Sequence, residues 1–229
     1  MQARGGRAPG MRMRFKAWAG PELDACPFFV RHPQRFRGKW HSLFPRQNPV
    51  CLELGCGKGL FLAGTAPAEP RVNFIGVDLK DTVLGPAKRN IERAFREAGR
   101  EPDNILLTAM DVERIGEAMG PEDSVRQIVI NFCNPWPKPR HRKRRLTHPR
   151  QLLQYRTFLE PGGELRFKTD DAALFADTLG YLAQCGFEVV RRTDDLYAGR
   201  EPGGALTEHE RMFLQKGVGI KALTAVFRG

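Results

Sequence analysis

The chain has 229 residues, is 41% hydrophobic and carries a formal net charge of +11, which suits one α/β domain with a core of its own plus an arm. No apolar run reaches the roughly 18 residues that a spanning helix needs, and no apolar stretch follows the basic N-terminus, so neither a helical membrane span nor a signal peptide is expected. Five cysteines without a CxxC pair argue against a disulfide framework or zinc knuckle and for a reducing cytoplasm.

In chain order, MQARGGRAPG (1–10) is poor in apolar residues and reads as a disordered extension. Residues 11–48 form a basic arm in which Phe15, Trp18, Phe28, Phe29, Phe36, Trp40 and Phe44 are spaced among cations. Most of these rings are expected to pack on a domain spanning 49–229; stacking on bases is the alternative. From residue 50 strands and helices alternate: strands at 50–55, 72–78, 105–110, 125–132 and 164–169, helices at 58–66, 83–99, 112–119, 148–159 and 171–186, then late strands at 187–193 and 220–227. Pro86 suits a first helical turn and Gly99 a helix end. Alternation of this kind builds a mostly parallel, doubly wound sheet, here of about seven strands. In such sheets ligands bind outside the carboxyl ends of the strands.

Charge is unevenly placed. Residues 1–50 hold ten Lys/Arg against Glu22 and Asp24, while the rest of the chain holds 27 against 24. A second basic block, KPRHRKRR (138–145), stands out from that balanced body. Two basic patches on a folded domain point to a phosphate-rich partner, against the plainer reading of a solvated face.

The strand ends carry the chemistry. The first ends in ELGCGKG, with Glu53, Gly55, Gly57 and Gly59. This GxGxG lets backbone approach a ligand, yet it is neither GxGxxG nor a P-loop. Glu53 would repel a phosphate and suit an ammonium or sulfonium. The second strand ends in Asp78, placed to accept the hydroxyls of a ribose. The third ends before Asp111, which can take an exocyclic amino group or cap the next helix. Together these residues describe a pocket for an adenosine with a cationic amino-acid tail, namely S-adenosylmethionine, and hence a Rossmann-like class I methyltransferase fold. The fourth strand runs into INFCNPWPK, where Asn134, Trp136 and Lys138 would surround a methyl acceptor on a loop stiffened by Pro135 and Pro137. Five scattered histidines have no metal-ligand spacing, so no metal is expected.

INFCNPWPKPRHRKRRL, FKTDD and TEHERMF, taken together, closely resemble the tRNA (guanine-N7-)-methyltransferase family, from about Met11 to the last strand. The resemblance implies methyl transfer from S-adenosylmethionine to N7 of a guanosine in the tRNA variable loop, by a monomer or homodimer. It puts the donor-binding acids on Glu53, Asp78 and Asp111. The position that is usually Asp in the family, and is its proposed catalytic residue, falls on Asn134, with donor contact as well. Substrate contacts fall on Lys138, Asp170, Thr207, Glu208, His209 and Glu210. Arg140, Arg142, Lys143, Arg144 and Arg145 would meet tRNA phosphates. Asp170 can alternatively cap the helix that follows it, and Thr207 with Glu210 matches a capping box. An amide at 134 offers no negative charge, which leaves a catalytically weakened tRNA-binding protein as the rival function. A nicotinamide dehydrogenase is the rival chemistry, opposed by GxGxG and the basic loop.

Overall fold

The structure, a computed structural model, describes residues 15–198 and 208–229. The first ten residues and Thr207, and the side chain of Glu208, lie outside what is described, as does the capping box read at 207–210.

Eight strands form one sheet in the order β1-β4-β3-β2-β5-β6-β8-β7. They are β1 (Phe29–Val30), β2 (Val50–Leu54), β3 (Asn73–Asp78), β4 (Ile105–Ala109), β5 (Val125–Asn131), β6 (Leu159–Thr169), β7 (Phe187–Thr193) and β8 (Lys221–Phe227). The first six pair in parallel, and β8 lies antiparallel between β6 and β7. Every residue of β2 is buried, as a central parallel strand covered on both faces requires. The chain runs outward from β2 through β3 to β4, then crosses back to place β5 on the other side of β2. That reversal opens a crevice beyond the carboxyl ends of β2 and β5.

The helices are α1 (Ala19–Asp24), α2 (Leu60–Thr65), α3 (Asp81–Glu97), α4 (Pro149–Tyr155), α5 (Ala172–Gln184) and α6 (Glu208–Gln215). In α3 the apolar positions Leu84, Ala87, Ile91 and Phe95 are buried, which is helical spacing along one face. The helix ends as its sequence predicts: Gly99 has φ +64, Gly99 N bonds Arg96 O at 3.0 Å, and Arg100 N bonds Phe95 O at 2.9 Å, a Schellman closure. It begins earlier than expected, at Asp81, so Pro86 lies inside it. A proline there removes the donor that the Thr82 carbonyl would take.

Among the described strands and α-helices, three have no counterpart among the expected ones. β1 is only two residues long, too short for a period-2 signal; Phe28 O accepts from Leu107 N and Val30 O from the Thr108 hydroxyl. α1 and α6 are short as well. The arm is tied to the body by one buried carboxylate. Asp123, 1% exposed, accepts from the backbone N–H groups of Gly38 (2.7 Å), Trp40 (3.1 Å) and Gly120 (2.8 Å). The Trp40 indole donates to Ala118 O at 2.8 Å. Phe28, Trp40 and Phe44 join the core, as expected of arm aromatics, while Phe15 is 81% exposed. Among the described residues no helix is long and apolar enough to cross a membrane.

Candidate active site

The crevice at the reversal is a cleft of about 590 Å³. Glu53, Gly55, Gly57, Asp78, Asp111 and Asn134, expected from sequence to face one ligand, all line it. Gly59 does not; it starts α2 at φ +66, and a Cβ there would meet the Ala87 Cβ at 2.9 Å. Its absence of a side chain lets α2 pack on α3.

The glycine loop is folded by its neighbours. Gly55 and Cys56 donate backbone N–H to Val77 O at 2.8 and 3.0 Å. Gly55 and Gly57 have φ +76 and +55, a region L side chains rarely adopt. Asp78 locks the loop from β3: one carboxylate oxygen accepts from Gly57 N (2.9 Å), the other from Leu79 N (2.7 Å). Burial pushes the Asp78 carboxyl up, and those backbone donors oppose the rise. Asp111 accepts from Glu113 N at 2.9 Å and caps the 3₁₀ turn Val112–Glu117. It therefore serves as cap and as cleft wall.

Glu53 stands apart from the other two. It is 2% exposed. One oxygen accepts from the Asn131 side-chain amide at 2.9 Å; the other is buried without a hydrogen-bond partner. Burial pushes its carboxyl up to about 8, against the bond from Asn131. A buried acceptor with nothing to accept from is costly, and a cationic or N–H-bearing ligand in the cleft would satisfy it.

The acceptor loop after β5 carries two bulky residues in the left-handed region, Phe132 at φ +51 and Trp136 at φ +43, a strain of about 1–3 kcal/mol each. The Asn134 side-chain oxygen accepts from Trp136 N at 3.1 Å and so helps hold that turn. The Trp136 indole lines the cleft. The Arg144 guanidinium lies 4.5 Å from its ring centroid and the His141 ring 5.7 Å away.

The basic run forms a 3₁₀ turn, Pro139–Arg144. Lys138, Arg140, Arg142, Lys143 and Arg144 are exposed. Arg144 also pairs with Glu113 at 3.2 Å. Arg145 departs from the expectation of a tRNA contact. Its side chain is 2% exposed and its guanidinium is engaged by Asp177 (2.5 Å) and Pro135 O (2.7 Å). It props the loop from beneath, turned away from the solvent that its neighbours in the run face.

On β6 and α6 the expectations separate. Asp170 is exposed, and the residue that caps α5 is Asp171, which accepts from Leu174 N at 2.7 Å. His209 is exposed, lines the cleft and stacks on Phe132 at 5.4 Å between centroids. Glu210 is 1% exposed and bound to Lys168 and Tyr197, so its carboxylate is enclosed instead of open to a base. Sequence reasoning assigned no role to Asn131, Lys168, Tyr197 or the cleft-lining Lys16. Asn131 and Lys168 stand at the polar ends of apolar strands, which was the one signal available.

The fold has counterparts. A family model described as "Putative methyltransferase" matches residues 47–223. The chain is 51% identical over 216 residues to a tRNA (guanine-N(7)-)-methyltransferase of Clostridium beijerinckii, covering 94% of this chain and 99% of that protein. It is also 51% identical over 215 residues to the enzyme of the same name from Acetivibrio thermocellus, with the same coverage. Among solved structures, the 16S rRNA methyltransferase KamB superposes with a TM-score of 0.59 at 15% identity, covering 82% of this chain and 92% of that one. The antibiotic-resistance methyltransferase Kmr gives 0.53 at 20% identity, covering 79% and 87%; these likenesses speak to the fold alone. With half its residues shared across nearly its whole length, and with the glycine loop and strand-end acids converging on one cleft, the chain belongs to the tRNA (guanine-N(7)-)-methyltransferase family.

Proposed function

We propose that this protein transfers a methyl group from S-adenosylmethionine to N7 of a guanosine in the variable loop of tRNA. The observation that carries this reading is the partnerless, buried Glu53 oxygen at the floor of the cleft, across from the acceptor loop. The donor's ammonium is the ligand group that would complete it, with Asp78 on the ribose hydroxyls and Asp111 toward the adenine. Bound there, S-adenosylmethionine supplies a methyl carbon made electrophilic by its sulfonium.

The protein's residues do the rest by placement. Ring nitrogen 7 of guanine has a free in-plane lone pair, so no proton must leave before it attacks. A general base, elsewhere worth about 10²–10⁴-fold, has little to contribute, and an amide at 134 is no handicap. Asn134 acts by fixing the Trp136 turn, so that the base meets a rigid edge. Trp136, already under one guanidinium, offers its other surroundings to the extruded base. Lys138, Arg140, Arg142, Lys143 and Arg144 hold backbone phosphates and set register without reading sequence. This chemistry belongs in the cytoplasm with tRNA, for a monomer or a homodimer alike.

The test is methyl transfer from labelled donor to two tRNA transcripts, one with and one without the variable-loop guanosine. Label in the first alone, at guanine N7, is the expected result. Equal label in both would reject the assigned position, and no label in either would reject the activity.

A further inference from the structure

Two buried carboxylates flank the cleft, and neighbouring strand ends connect to them. Asn131 closes β5, and Lys168 precedes the last residue of β6; the two are register partners in the parallel pair, so their side chains leave the same face of the sheet. Asn131 donates to Glu53. The Lys168 ammonium donates to Glu210 Oε1 at 2.8 Å. That same oxygen accepts from the Tyr197 hydroxyl at 2.8 Å. Glu210 is 1% exposed whereas the Lys168 side chain is 30% exposed. Enclosing a carboxylate this far is costly unless a cation and good donors meet it. The two acids feel one another: Glu210 raises the Glu53 carboxyl and Lys168 lowers it.

The helix that carries Glu210 is part of the cleft wall. His209 and Met212 of α6 line it. The His209 and Phe213 rings pack with Phe132 at 5.4 and 5.7 Å, on the first strained residue of the acceptor loop. The ion pair therefore sets where α6 sits against the loop that is to present the base.

We propose that Lys168 is a positioning residue for methyl transfer. It fixes Glu210, and through Glu210 the helix whose His209 and Met212 wall the cleft, relative to Asn131 and Glu53 on the donor side. This rests on the tRNA-methylation reading above and deepens it: two adjacent strand ends, one bonded to each carboxylate, set the spacing between donor and acceptor.

Three variants test it: Lys168→Met, Lys168→Arg, and Lys168→Met combined with Glu210→Gln. Each is measured for donor Kd by calorimetry, for kcat and KM with a tRNA transcript, and for Tm. In Lys168→Met, kcat falls by up to ~10²-fold, the effect of a misplaced reacting geometry, while donor Kd rises far less, because Glu53 and Asp78 keep their own hydrogen bonds and Glu53 loses only the charge of Lys168. Lys168→Arg restores most of kcat by returning a cation. The double variant regains the Tm lost on taking the Lys168 cation away from the Glu210 carboxylate but stays slow. Wild-type kcat in Lys168→Met, or a double variant that recovers kcat together with Tm, would overturn the positioning role. If Lys168→Met does not fold, the double variant alone decides, slow supporting the role and fast overturning it. Failure of the wild-type protein to methylate tRNA shows before any variant is made, and strikes the underlying reading instead.

Discussion

The Asn131 amide donates to one oxygen of Glu53 at 2.9 Å and leaves the other oxygen buried with no partner. A half-satisfied carboxylate under a cleft is poor for folding and good for binding a cation. Glu53→Gln removes the charge the donor's ammonium would meet. A hydrogen bond to a charged group is worth about 1.5–3 kcal/mol, so donor Kd should rise at least about tenfold by calorimetry. An unchanged Kd would remove Glu53 from the donor site.

The same residue predicts a pH dependence without ligand. Burial raises the Glu53 carboxyl from 4.5 to about 8, so between those values the folded state holds a proton that the unfolded state has released. Stability from this group is full below about pH 4.5 and is lost as pH rises through about 8, at up to ~1.4 kcal/mol per pH unit. Melting curves of wild type and Glu53→Gln should therefore diverge across that window, the variant losing less Tm with rising pH. Parallel curves would mean that Glu53 is ionised throughout.

Asn134 is predicted to act through the Trp136 turn. Asn134→Ala deletes the acceptor for Trp136 N and lets a left-handed tryptophan relax; kcat should fall by about 10–100-fold, since small displacements of reacting groups are this costly. Asn134→Asp keeps an acceptor in place and should keep turnover. A Trp136 turn that functions equally well with alanine at 134 would show the amide to be idle.

Arginines of the basic run should divide by burial. Replacing exposed Arg140, Arg142 and Lys143 by Gln should flatten the dependence of log K for tRNA on log salt by about 0.7–0.9 for each phosphate no longer neutralised. Arg145→Met should leave that slope alone and lower stability by about 1–3 kcal/mol, because Pro135 O and Asp177 are deprived of their donor. A changed slope in Arg145→Met would put that side chain on the RNA after all.

Asp123→Ala should loosen the arm. Three backbone N–H groups, on Gly38, Trp40 and Gly120, are left without their acceptor at about 1–3 kcal/mol each where water cannot reach. Proteolysis should then cut within residues 31–48 before the body of the domain is touched. Cleavage no faster than wild type would show that aromatic packing alone holds the arm.

Short-range pattern made much of this molecule legible in advance. The apolar run of β2, the spaced apolar face of α3 and the Gly99 stop are local, and each appears where its residues put it. The strand-end residues Glu53, Asp78 and Asp111 were legible too, because a parallel sheet delivers every strand end to one rim. Pairings between distant residues were not. Asn131 meets Glu53 across 78 positions, Lys168 meets Glu210 across 42, Arg145 meets Asp177 across 32, and Gly38 meets Asp123 across 85. No periodicity encodes such partners. They arise only when the sheet order brings the strands together, and burial then decides that one arginine of a basic run becomes a prop while its neighbours face the solvent.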